Sequence, residues 1–137
     1  MAVKRRDVRE SAFIITFEML FRDDTVDELF EAASMLDDIV LNDEVKNLVN
    51  GISEKREDID KEISALSDKR SINRIPRINL AILRLAIYEA LYDDKVPVNV
   101  AISEAVKLAE KYALEPDVSF VNGILGSFSR KLEQKDG

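Results

Sequence analysis

Four basic residues near the start of the chain are the best candidates for binding an anionic ligand. They are Lys4, Arg5, Arg6 and Arg9, with Asp7 as the single acid among residues 4 to 9. Side chains this dense in positive charge can bind the phosphates of a nucleic acid, although a solvated basic tail is the simpler alternative. The segment has a net charge of +3, which leaves −10 for the rest of a chain whose total is −7. This asymmetry suggests two surfaces, one for an anionic partner and one for a basic partner.

Two phenylalanines on the same predicted helix could complete a nucleic-acid surface. At about 100° per residue, Arg6 and Phe17 lie within about 20° of each other, about three turns apart, and Phe13 lies near the same line. An arginine and a ring on one face suit single-stranded RNA, because the arginine binds phosphate and the ring stacks on a base. A core position is the alternative for Phe17, since a small helical protein needs aromatic core residues and Phe21 is close.

The composition argues against most kinds of catalysis. The chain has no cysteine and no histidine, which excludes thiol nucleophiles, imidazole bases, Cys/His zinc sites and disulfides. Carboxylates could in principle perform acid/base chemistry or hold magnesium, and six of them follow one predicted helix: Glu44, Glu54, Glu57, Asp58, Asp60 and Glu62. A solvated helix face explains them better. The sequence therefore predicts no enzyme, no metal and no cofactor.

The elements that position these residues are predicted to be helices. The 137 residues are 46% hydrophobic, with only four glycines and three prolines, and apolar residues recur at helical rather than strand spacing. No run approaches the roughly 18 apolar residues that span a bilayer, so we expect a soluble, cytoplasmic protein. The predicted fold is all-α, a compact bundle of about seven helices forming a single domain. It has two packed subdomains, at about 1–70 and 71–137.

Apolar spacing and capping residues place the individual helices. The first helix is predicted at about 6–22, and Thr25 with Glu28 has the signature of a capping box that opens the second. Asn42 precedes a long third helix of more than 20 residues. The stretch 77–92 is apolar nearly all round, as in a helix buried between neighbours.

The last predicted helix carries a second candidate surface. Asp117 is predicted to cap it, and Val121 lies in its inward stripe. Phe120 falls about 100° from Val121 by helical rotation, at the margin of the stripe, and can be partly exposed. Gly123 and Gly126 lie opposite, where glycine costs about 1 kcal/mol relative to alanine. Close approach of RNA or of another backbone would explain them, and an Asn-Gly turn that ends the helix early is the alternative.

Two patches of sequence resemble the NusB family. The first is "RRDVRESAFIITFE" at 5–18; the second comprises "RINLAILRLAIYEA" at 77–90, "VPVNVAISEAVKLAEKY" at 96–112 and "FVNGILG" at 120–126. The order and spacing of these pieces make the resemblance specific. It implies a helical protein that binds single-stranded boxA-type RNA together with the ribosomal protein NusE. It also implies entry into the RNA polymerase antitermination complex, notably on ribosomal RNA operons.

The resemblance also implies site residues, with the first helix and the start of the last helix framing the RNA. The RNA-binding set is Lys4, Arg5, Arg6, Arg9, Phe17, Asp117, Ser119, Phe120, Asn122 and Gly123. The partner-binding set is Arg84, Tyr88 and Glu89.

Three expectations concern the state and class of the protein. A homodimer is possible when the protein is free. One alternative is a helical protein-interaction module that keeps the fold without RNA binding. Another is the NusB-like domain that precedes the catalytic domain of ribosomal RNA cytosine methyltransferases, although this chain stops at Gly137 with no methyl-donor domain after it.

Overall fold

The computed structural model describes residues 4–35, 39–67 and 72–136 of the chain. Within those ranges there are seven α-helices and no strand, which confirms the all-α prediction. They are α1 (Arg5–Glu18), α2 (Val26–Ala33), α3 (Asp43–Glu54), α4 (Arg56–Leu66), α5 (Arg77–Tyr92), α6 (Val98–Tyr112) and α7 (Glu115–Asp136), with a 3₁₀ turn at Ile72–Arg74. No helix in the described ranges combines the length and the hydropathy of a membrane-spanning segment. The chain forms two compact units, unit 1 (Met1–Glu54) and unit 2 (Lys55–Gly137).

Unit 1 is built from α1, α2 and α3, which contact one another. The apolar residues Val8, Ala12 and Ile15 of α1 are buried, at the spacing of one helix face. The helix ends at Glu18, four residues before the predicted end. The chain then tightens into a turn, because the N–H of Phe21 donates to the carbonyl of Glu18.

The predicted capping box at the start of α2 is confirmed. The N–H of Glu28 donates to Thr25 Oγ1 at 3.1 Å, and the N–H of Thr25 donates to Glu28 Oε1 at 3.0 Å. Two otherwise unpaired donors of the helix end are thereby satisfied. The backbone hydrogen bond from Thr25 is the main reason that the pKa of Glu28 lies below its ordinary value.

The long third helix of the prediction is two helices. Asn42 caps α3 as expected, since its Oδ1 accepts the N–H of Val45 at 2.9 Å. The helix breaks at Lys55, which has φ −96° and ψ 7°. Neither glycine nor proline marks the break. Ile52 and Ile59, both buried, are seven residues apart, so the apolar stripe keeps its period across the break.

Unit 2 surrounds α5, which contacts α4, α6 and α7. Its bounds coincide with the predicted 77–92. Side chains are buried along nearly its whole length, because apolar residues occur on every side of the helix. Arg84 of α5 donates to both carboxylate oxygens of Asp60 in α4, at 2.9 Å each, and so joins these two helices.

Candidate nucleic-acid interface

The start of α1 presents a cluster of positive charge. Lys4 is the N-cap residue, with extended φ and ψ, and Arg5 and Arg6 are the first helical residues. Lys4 and Arg6 are exposed and Arg5 is half-buried. A helix N-terminus carries partial positive charge, so cations there do not stabilise the helix. The cluster instead strengthens the potential that attracts an anion.

Arg5 already has an acidic partner. Its Nη1 lies 3.0 Å from Oε1 of Glu44 in α3, and the two side chains are 33% and 50% exposed. A pair this exposed contributes at most about 1 kcal/mol. A phosphate can therefore take the place of the carboxylate. The two residues are 39 positions apart, so no sequence pattern indicates the pair.

Arg9 lies inside the protein. Only 4% of its surface is exposed, and it has an interaction partner within the chain. Its predicted RNA contact stays a prediction, but burial places it away from the accessible cations. Those are Lys4, Arg5 and Arg6.

Phe17 belongs to a row of three rings on α1 and the turn after it. Its ring stacks on Phe13 at 6.0 Å and meets Phe21 edge-on at 5.1 Å. Phe13 is buried, Phe17 is half-buried and Phe21 is exposed. Phe17 also lines a cavity of about 280 Å³ beside Leu29 and Ala33. The ring thus contributes to packing while part of it remains accessible to a base.

Asp117 has a different capping role from the predicted one. The helix α7 begins at Glu115, so Asp117 is its third residue rather than its cap. From inside the first turn its Oδ2 accepts the N–H of Leu114 at 3.3 Å. Its Oδ1 accepts Asn79 Nδ2 at 3.0 Å. Asp117 therefore fixes the start of α7 against α5.

The next residues of α7 form its outer surface. Ser119, Asn122 and Gly123 are exposed and Phe120 is half-buried, whereas Val121 is fully buried. The predicted difference in direction between Phe120 and Val121 is thus present in the structure. A Cβ added to Gly123 would meet nothing within 4 Å. The intrachain packing therefore gives no reason for glycine at this position.

The predicted partner residues are mostly engaged inside unit 2. Glu89 is fully buried, and Arg84 is held by Asp60. Tyr88 is half-buried, with its ring 5.4 Å from that of Tyr92. Arg84 and Tyr88 are both half-buried, so each keeps part of its surface accessible, and the partner surface stays a prediction.

Charge divides unequally between the two units. Unit 1 has six basic and thirteen acidic residues, a net charge of −7, whereas unit 2 has fourteen of each and is neutral. The acidic surplus of the chain therefore lies entirely in unit 1. Within that unit, the basic segment at 4–9 is the exception.

A family profile, a related sequence and similar solved structures all match this chain to NusB proteins. The NusB family profile matches residues 6–130. Transcription antitermination protein NusB of Thermoanaerobacter sp. (strain X514) is 46% identical over 93 residues, which are 68% of this chain and 66% of that relative. A structure of T. maritima NusB has a TM-score of 0.82 and 33% identity, and the match covers 95% of this chain and 93% of that one. A crystal structure of antitermination factors NusB and NusE in complex with dsRNA has a TM-score of 0.81 and 27% identity, covering 93% and 96%.

Proposed function

Because the chain belongs to the NusB family, we propose that it is a transcription antitermination factor that binds single-stranded boxA-type RNA together with NusE. The bound complex then joins the elongating RNA polymerase, notably on ribosomal RNA operons. The similar structure that contains NusB, NusE and dsRNA supports RNA and NusE as the two partners.

The observation that carries the proposal is the accessible cation cluster at the start of α1. Lys4, Arg5 and Arg6 lie together at a helix N-terminus, on a chain whose net charge is −7. Cations concentrated on one part of an acidic protein can bind phosphates while the remaining surface repels them. The cluster supplies affinity, because phosphate contacts do not distinguish one base from another.

The outer surface of α7 supplies contacts to the bases. Phe120 offers a ring for stacking, and the hydroxyl of Ser119 and the amide of Asn122 can bond base edges or the ribose 2′-OH. Gly123 lets an RNA backbone come close to the helix. Asp117 acts as a positioning residue in this proposal, since it fixes the first turn of α7 against α5, and the other four residues follow directly in the next turns of the same helix.

Binding is the whole function in this proposal. The described residues contain no group of three or more metal-ligating side chains, and the sequence has no cysteine or histidine. The protein would act by holding RNA and NusE at the polymerase. The surplus acid of unit 1 favours a basic protein partner, and Tyr88 marks a second candidate contact. Self-association of the free chain is a further prediction, checked by sedimentation.

One set of titrations tests the proposal. A labelled boxA-like RNA and a scrambled RNA of equal length are titrated with the full chain, with and without NusE. We expect tighter binding of the boxA-like RNA and a further gain with NusE. The coupling between two binding sites is reciprocal, so the RNA should raise the affinity of the chain for NusE by the same factor by which NusE raises its affinity for RNA.

Two results would contradict different parts of the proposal. Equal affinity for the boxA-like and scrambled RNAs would contradict specific recognition. NusE binding without any RNA binding would identify the chain as a protein-interaction module.

A further inference from the structure

A groove between α6 and α7 in unit 2 shares only Asn122 with the RNA contacts proposed above. Its volume is about 550 Å³, a size typical of small-ligand sites. Ile102 and Val106 of α6 and Leu125 of α7 supply an apolar floor. Polar residues line the rest, and Asn122 belongs both to the groove and to the proposed RNA contacts.

The surface of α7 between Phe120 and this groove carries two glycines. At about 100° per residue, Gly123 and Gly126 lie on the arc between the Phe120 flank and the Asn122 flank, together with Ser119, Ser127 and Arg130. A Cβ at Gly123 would meet nothing within 4 Å, and one at Gly126 would meet only the end of the Arg130 side chain, at 3.5 Å. The neighbours of these two glycines would therefore tolerate alanine. Each glycine nevertheless costs about 1 kcal/mol in a helix interior.

The groove has cations from both helices. Lys107 of α6 and Arg130 of α7 are exposed and line it, with Glu110 as the one acid. Arg130 donates to Ser127 Oγ at 3.1 Å. Lys107 makes no side-chain hydrogen bond or ion pair with any residue that the structure describes. Two phosphate-binding groups thus flank an apolar floor.

These features fit a nucleotide better than a basic protein segment. A base can lie on Ile102 and Val106 while amides and hydroxyls bond its edges, and Glu110 can accept from an exocyclic amino group. A basic segment would be attracted to unit 1, which has a net charge of −7, rather than to the neutral unit 2.

We propose that the RNA strand that stacks on Phe120 crosses α7 over Gly123 and Gly126 and places a further nucleotide in this groove. A phosphate of that extension binds Lys107 and Arg130. This proposal rests on the RNA-binding function proposed above, and it adds a subsite that binds RNA flanking the boxA-like element.

The test compares a boxA-like core RNA with the same RNA extended by four nucleotides at either end. The full chain is compared with Lys107→Ala/Arg130→Ala and with the control Lys61→Ala/Lys95→Ala, which removes two exposed lysines elsewhere in unit 2. One of the two extensions should raise wild-type affinity about tenfold. It should also steepen the slope of log K against log salt by about 1.4, from two contacts at about 0.7 each.

The Lys107→Ala/Arg130→Ala variant should bind the core RNA normally, but the extension should neither raise its affinity nor steepen its salt slope. The control variant should show both effects of the extension. Circular dichroism confirms that each variant is folded. Retention of the gain by the groove variant, or no gain from either extension in the wild type, would overturn the subsite. Loss of NusE binding without loss of the RNA gain would make the occupant a protein and also overturn it. If the core RNA itself fails to bind wild type, the proposed function fails, and the subsite with it.

Discussion

The two units differ in how they can hold RNA. The proposed RNA residues of unit 1 are mainly cations, in a unit whose net charge is −7, whereas those of unit 2 are mostly uncharged, in a neutral unit. Phosphate contacts depend on salt and do not distinguish one RNA sequence from another. Stacking and contacts to base edges provide the sequence specificity. The difference teaches that the contacts proposed at the start of α1 depend on salt, whereas those proposed at the start of α7 depend on the bases. Substitutions in unit 1 should change the salt slope, and those at the start of α7 should change affinity at a constant slope.

The largest expected effect comes from Phe120 and its neighbour. Phe120→Ala should weaken RNA binding by roughly 1 to 3 kcal/mol, the range for one lost base stack, with a small change in melting temperature. Val121→Ala is the control, because Val121 is fully buried. It should lower the free energy of unfolding by about 1 kcal/mol or more through lost burial and a cavity, with nearly normal RNA affinity. Thermal melts and RNA titrations of both variants check this.

The opposite pattern would make Phe120 a core residue. A Phe120→Ala variant that is strongly destabilised but normal in RNA affinity would remove α7 as the stacking surface. The two units would then differ only in net charge, and no base-stacking contact would be left in unit 2.

The next effect concerns the salt dependence contributed by unit 1. Lys4, Arg5 and Arg6 are the accessible cations, so this cluster contributes at most about −2.1 to the slope, from about −0.7 per contact. Arg5→Ala/Arg6→Ala should flatten the slope by up to about 1.4. A fourfold rise in salt should therefore cost this variant up to about sevenfold less affinity than it costs wild type.

The matched control is Arg56→Ala/Arg74→Ala, which removes two exposed arginines of unit 2; Arg56, like Arg5, is the first residue of its helix. The control slope should equal that of wild type. An unchanged slope in the Arg5/Arg6 variant would place the phosphates elsewhere.

A smaller effect, with opposite signs in folding and binding, is expected at Gly123. Gly123→Ala should stabilise the folded chain by up to about 1 kcal/mol, because the added methyl meets no neighbour within 4 Å. The same methyl should weaken RNA binding if a strand passes over this position. Melting curves and titrations on one sample measure both. Greater stability with unchanged RNA affinity would contradict the close approach.

The smallest effect is a pH dependence in unit 1. Hydrogen bonds from Thr25 hold the pKa of Glu28 below its ordinary value near 4.5. The stability gained from this carboxylate is therefore present above the unfolded pKa, and it is lost as pH falls through the lower folded pKa. Glu28→Gln should be less stable than wild type at neutral pH, and the difference should shrink on acidification. A constant difference in melting temperature across that range would contradict this role.

Local features of the fold were predictable from the sequence, and long-range ones were not. The capping box at Thr25, the cap at Asn42 and the bounds of α5 follow from side-chain type and apolar period. The break at Lys55 escaped prediction because buried residues continue at helical spacing on both sides. Residues 54–56, where the helix breaks, include neither glycine nor proline, the residues that usually indicate such a break in a sequence.

The candidate site also has features that the sequence predicted and features that it could not predict. Helical rotation correctly separated the buried Val121 from the half-buried Phe120. Rotation could not show that Arg9 is buried, because its burial depends on packing beyond its own helix. The Asn79–Asp117 bond joins residues 38 positions apart, and no local pattern indicates such a contact.

The pair between Arg5 and Glu44 makes RNA binding an exchange of one anion for another. When a phosphate takes Arg5, the Glu44 carboxylate is returned to water. Added salt screens the internal pair as well as the phosphate contact, so part of the salt effect cancels between the free and bound states. A count of phosphate contacts taken from the measured slope will therefore be lower than the number of cations that touch the RNA.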